Sequence, residues 1–232
     1  NHRVKMQVPR LRCAKARSSA RDDGRFCRLI YMALIVVGGQ SRKVGKTSVV
    51  AGLISALREY EWLAAKISQH GHQVCSGGSC DCVTEDHVAA IGEERNRSGE
   101  ADTSRFLAAG AARALWVRTE PGRLADAMPR LREEMGKARN VLLESNSVME
   151  FVEPDLYLVV LDPAKEDFKD SAREWLERAD AVVMHAGVPL EVAKGKPTFR
   201  VKPPQYVSGE LVEFVRERIV PSGDRAIEPS KT

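Results

Sequence analysis

The chain alternates short apolar runs with longer amphipathic stretches. Leu29 to Val37 is a continuous run of mostly aliphatic side chains, the pattern of a strand buried on both faces. Thr47 to Tyr60 carries Val49, Val50, Leu53, Ile54 and Leu57 at helical spacing. Trp62 to Ser68 reads as a second strand. Gln69 to Glu100 is polar, with one apolar patch from Val88 to Ile91 that suits a further short strand. Downstream, helices are predicted at Ser104 to Ala112, Leu124 to Lys137, Asp167 to Ala179 and Gly209 to Ile219. Strands are predicted at Ala114 to Arg118, Asn140 to Glu144, Asp155 to Asp162, Ala181 to His185 and Phe199 to Val201. Strands alternating with helices predict an α/β fold, a mostly parallel sheet with helices on both faces in three α/β/α layers.

The first strand runs into Gly39-Gln40-Ser41-Arg42-Lys43-Val44-Gly45-Lys46-Thr47, and a helix follows at once. Strand, glycine-rich loop, Gly-Lys-Thr and helix together are the setting of a phosphate-binding loop, and hence of the P-loop NTPase fold. Glycine lets the backbone curl so that N–H groups converge on phosphate oxygens. The helix start adds free N–H groups and the positive end of its dipole. Lys46 is expected to reach the terminal phosphates, with Ser48 completing the cradle. The Thr47 hydroxyl is expected on Mg²⁺. Glu144, at the carboxyl end of its strand, is the second expected Mg²⁺ ligand and, with Lys46, the expected catalytic group. A structural carboxylate capping a loop is the alternative for Glu144. Asp102 reads equally as a ligand contact or a helix N-cap, and Arg105 as a phosphate contact or a surface ion pair. Asp162-Pro163 and Asp167-Phe168-Lys169 read as turn and helix-cap chemistry.

The loop is one residue longer between its glycines than the common Gly-x-x-x-x-Gly-Lys-Thr pattern. In this it resembles the loop of dethiobiotin synthetase and its relatives. Three further stretches resemble the family of molybdopterin-guanine dinucleotide biosynthesis protein B (MobB). They are Lys66-Ile67-Ser68-Gln69-His70-Gly71-His72, Asp102-Thr103-Ser104-Arg105 with Ala109-Gly110-Ala111, and Val141-Leu142-Leu143-Glu144. The resemblance covers about half the chain, Ala33 to Ser147. Glu144 is followed by Ser145-Asn146-Ser147 where that family has Gly-Phe-Lys, and Gly71 separates the two histidines. The resemblance implies GTP binding, weak hydrolysis, a homodimer and an auxiliary role beside a partner enzyme of molybdenum-cofactor biosynthesis. The strand end Val183-Met184-His185-Ala186-Gly187 does not match the Asn/Thr-Lys-x-Asp segment with which many GTPases read guanine, so ATP stays open. An ATP-dependent ligase like dethiobiotin synthetase and a nucleotide-switched metallochaperone are the alternative functions.

The metallochaperone alternative comes from His70, His72, Cys75, Cys80, Cys82 and His87, which lie within eighteen residues. Thiolates and imidazoles suit Zn²⁺ or another soft transition metal. Cys75, Cys80 and Cys82 with His70 or His72 make a candidate ligand set, although the spacing is not that of a zinc finger. Free thiols on a polar loop are the other reading.

Composition narrows the classes. No apolar run approaches the roughly 20 residues of a membrane-spanning helix. No secretory segment is recognisable, so a reducing, cytoplasmic compartment and free thiols are expected. The formal charge is +4, yet residues 1–31 carry nine basic and two acidic residues and the remainder is net −3. The basic character therefore belongs to this first stretch, read as a basic arm or an over-extended start before Met32, and no nucleic-acid partner is inferred from it. The expected domain is 32–220, with a polar, disordered tail at 221–232.

Overall fold

The computed structural model describes residues 33–69, 89–187 and 191–219. One eight-stranded sheet runs through them in the order β3-β4-β2-β5-β1-β6-β7-β8. Its strands are β1 (Leu34–Gly39), β2 (Trp62–Gln69), β3 (Ala89–Glu93), β4 (Arg113–Thr119), β5 (Asn140–Glu144), β6 (Leu156–Leu161), β7 (Ala181–His185) and β8 (Thr198–Val201). All neighbours pair in parallel except β3 with β4. The helices are α1 (Lys46–Ala56), α2 (Asp102–Ala109), α3 (Leu124–Met135), α4 (Asp170–Leu176) and α5 (Gly209–Ile219).

Alternation along β1 shows how the layers form. Ile35 and Val37 face one core with Val49, Val50, Leu53 and Ile54 of α1, Phe106 of α2 and Leu211 and Val215 of α5. Leu34 and Val36 face the other core with Met128 and Leu131 of α3 and Leu176 of α4. A strand covered on both faces has no polar position to spare, which is why β1 and β6 are apolar and buried throughout.

Several boundaries differ from the periodicity. The first helix stops at Ala56, because Leu57 leaves helical geometry (φ −128°, ψ 46°) and Arg58–Tyr60 close a separate 3₁₀ turn. The fourth helix starts at Asp170 rather than Asp167, since the Lys169 N–H donates to the Gln40 carbonyl at 2.9 Å. The third strand is antiparallel. No helix among the described residues is long and apolar enough to cross a membrane. Parallel strands bring the carboxyl ends of β1, β2, β5, β6 and β7 to one edge, where crevices form in such sheets.

Candidate functional site

The Gly39–Thr47 loop is curled and fastened from below. The Gly39 N–H donates to Asn146 Oδ1 (2.8 Å), and its carbonyl accepts from Asn146 Nδ2 (2.9 Å). Gln40 is buried and all its polar groups are used. Its N–H reaches the Val160 carbonyl, its Oε1 accepts from the Asp162 N–H (3.0 Å), and its Nε2 donates to the Lys165 carbonyl (2.7 Å). Its side chain therefore braces the loop against the β6–α4 connection. Val44 is fully buried in the α1-side core and anchors the tip. Arg42 and Lys43 are exposed on the rim. Gly45 caps α1 at φ 92°, and a Cβ there would lie 2.5 Å from the Tyr206 ring, so glycine is required twice over.

Among the described residues, no backbone N–H from Ser41 to Ser48 has a hydrogen-bond acceptor. The first-turn donors of α1 are free for the usual reason, and the loop aligns more beside them. Lys46 folds back over Gly39, and its Nζ donates to the Ser41 carbonyl at 2.7 Å. A Cβ on Gly39 would stand 2.9 Å from Lys46 Cγ and Cδ. Burial lowers the Lys46 pKa to about 8; Glu144 opposes the fall, while Lys169 and Lys66 add to it. This constellation suits an anion with several oxygens.

Beside it a lysine is held between two carboxylates. Lys66 on β2 and Glu144 on β5 are register partners. Glu144 is buried; its Oε2 accepts from the Thr47 hydroxyl (2.8 Å) and its Oε1 from Lys66 Nζ (2.9 Å). Lys66 also reaches Asp102 Oδ2 at 2.6 Å and lies 3.4 Å from Thr47 Oγ1. Burial pulls the Lys66 pKa down, but Glu144 and Asp102 more than offset this and hold it above the usual lysine value. Asp102 is the first residue of α2 rather than its cap. Ala101 holds that place, with its N–H and carbonyl both bound by Ser104 Oγ. Arg105, on the same helix, donates to Ser48 Oγ at 2.9 Å. Thr47, Glu144 and Asp102 thus turn hard oxygen donors towards one small region, a set that fits Mg²⁺.

An open groove of about 580 Å³ continues from the loop along α1. Its lining includes Ser48, Gly52, Arg105, Tyr206, Val207 and Ser208. Tyr206 meets His185 edge-on at 5.8 Å between ring centres, and His185 Nδ1 is 3.8 Å from Asp162 Oδ2. The end of β7 therefore offers an imidazole, an aromatic ring and a carboxylate where the sequence lacks the usual guanine-reading segment. Tyr206 carried no signal in the sequence, because nothing local marks a loop residue that returns over Gly45. The signal for Lys66 was its place within a stretch of family resemblance.

His70, His72, Cys75, Cys80 and Cys82 lie outside the described residues. Among the described residues, no three His, Cys, Asp or Glu side chains gather as a metal-binding group.

No protein-family model and no curated protein matches the sequence. Among solved structures the chain is similar to LpxK from Aquifex aeolicus in complex with ATP, at 22% identity and TM-score 0.44 over 73% of this chain and 53% of that one. The chain thus spans about half the length of that LpxK. It is similar to HypB from Helicobacter pylori in complex with nickel, at 13% identity and TM-score 0.46 over 82% of this chain and 90% of that one. It is also similar to Bacillus subtilis MobB, at 13% identity and TM-score 0.36 over 82% of this chain and 99% of that one. Strand order, helices on both faces and the curled loop between β1 and α1 make the chain a three-layer α/β/α protein of the P-loop fold.

Proposed function

We propose that this chain binds a nucleoside triphosphate with Mg²⁺ and serves as a GTP-dependent, weakly hydrolysing auxiliary of molybdenum-cofactor biosynthesis. The observation that carries nucleotide binding is Lys46. Its half-buried ammonium spans a loop whose N–H groups have no acceptor among the described residues, and no carboxylate there forms an ion pair with it. In this reading the amides of Ser41 to Ser48 and the Lys46 ammonium hold the β- and γ-phosphates. Thr47 and Glu144 hold Mg²⁺, which when bound neutralises charge building up on the transferring phosphoryl group. The groove beside Tyr206 takes the nucleoside. The cofactor role and the preference for GTP are supported by the family resemblance of the stretches holding Lys66, Asp102, Arg105 and Glu144, four side chains joined in one network.

Calorimetry on the full chain with GTP and with ATP, each with Mg²⁺, tests this. Saturable GTP binding at least tenfold tighter than ATP is expected. Equal affinities would remove the guanine preference and its link to the cofactor role. Failure of both nucleotides to bind would overturn the reading.

A further inference from the structure

In a phosphate-loop site the loop hydroxyl and the strand-end carboxylate surround a divalent cation. Here they surround an ammonium group. Lys66 Nζ is 2.9 Å from Glu144 Oε1, 2.6 Å from Asp102 Oδ2 and 3.4 Å from Thr47 Oγ1. All three are oxygens of the set that fits Mg²⁺, so the ammonium lies among the donors a metal would take. The two cations repel, and the carboxylate oxygens cannot satisfy both at full strength. We propose that Lys66 is a resident counter-ion of the metal site, displaced from it when a divalent cation arrives together with polyphosphate. This rests on the nucleotide reading above and adds to it the coupling of the two ligands.

Charge counting shows why the exchange is coupled. Lys66 with Asp102 and Glu144 sums to −1. Adding M²⁺ and freeing Lys66 brings the same group to +1, next to the Lys46 ammonium. A metal arriving alone therefore strands an extra, half-buried ammonium among cations, at an electrostatic cost. A polyphosphate arriving alone meets the Lys46 ammonium but also the net −1 of this neighbouring group. Arriving together, the metal takes the carboxylates and the released ammonium meets phosphate oxygens. Lysine suits the task, being a compact charge on a flexible four-carbon stem that can change partners without backbone movement. The burial of Glu144 also needs such a device, since an unpaired buried carboxylate would be strongly disfavoured whenever the site holds no metal.

The test uses Mn²⁺ alone as the probe, with no nucleotide, and reads free Mn²⁺ by electron paramagnetic resonance. Full-length wild type is expected to bind Mn²⁺ at least tenfold more weakly than Lys66→Met. Adding Glu144→Gln to Lys66→Met should abolish the gain, and Lys66→Arg should stay like wild type. A second readout covers the chance that Lys66→Met folds poorly. Its melting temperature should rise with Mg²⁺ alone, while that of wild type should not. If Lys66→Met gains neither Mn²⁺ affinity nor Mg²⁺-dependent melting, the counter-ion role is overturned. These arms contain no nucleotide, so they stand or fall separately from the calorimetry with GTP and ATP.

Discussion

Lys46 and Lys66 approach the same edge of the sheet, and the protein prepares them in opposite ways. Lys46 is half-buried, donates among the described residues only to a carbonyl and has its pKa lowered to about 8. Lys66 sits between two carboxylates with its pKa raised. The first site stores an unanswered positive charge and the second a nearly cancelled one. The difference teaches that the identity of a cation says little about its role. What matters is whether the fold has already supplied the counter-charge.

The comparison breaks most sharply at Lys46. Lys46→Ala should lower nucleotide affinity by about 100-fold, the loss of charge-assisted hydrogen bonds of roughly 3 kcal/mol. Circular dichroism should show the fold intact, and unchanged affinity in calorimetry would remove the loop assignment.

The pH dependence sharpens it. The folded pKa of Lys46 lies below its ordinary 10.5, so the folded state prefers the neutral amine. The stability penalty is full below about pH 8 and is relieved as pH rises from there towards 10.5, where the unfolded chain holds the extra proton. Polyphosphate reverses that preference by stabilising the ammonium. Nucleotide binding should therefore take up protons near pH 8 and weaken, by up to about tenfold per pH unit, above it. Titrations in buffers of different ionisation heat measure the uptake. No uptake in wild type, or the same uptake in Lys46→Ala, would disconnect Lys46 from the ligand.

A smaller effect is expected where the loop is fastened. Gly38→Ala would put a Cβ 2.3 Å from Asn146 Oδ1 and 2.6 Å from the Tyr157 hydroxyl oxygen. It should cost about 1–3 kcal/mol in chemical denaturation. A cost near zero would show that the Asn146 clamp yields easily.

The smallest expected effect lies in the groove. Tyr206→Ala should weaken nucleoside triphosphate binding by about three- to tenfold while leaving inorganic triphosphate unchanged. Equal loss for both ligands would show that the ring acts only by supporting Gly45.

The sequence revealed what depends on local pattern. Continuous apolar runs located β1 and β6, helical spacing located α1 and α3, and glycine with lysine located the loop. It did not reveal partnerships closed across the sheet. Asn146 clamps Gly39 over a separation of 107 residues, and Gln40 reaches Lys165 over 125. An amide looks the same in sequence whether it binds phosphate or braces backbone. Asp102 illustrates the same point. It has the composition of a cap, yet the cap is Ala101 and the carboxylate is held by Lys66. The histidine and cysteine cluster falls outside the described residues.

The central position of β1 between β5 and β6 also bears on how the molecule is made. Its partners are synthesised more than 100 residues later, so the loop's fastenings cannot exist while the early chain leaves the ribosome. Distant pairing of this kind is slow and comes late in folding. Competence to hold ligand would therefore appear only after β6 has docked, and ligand capture by a growing chain would report that the sheet has closed.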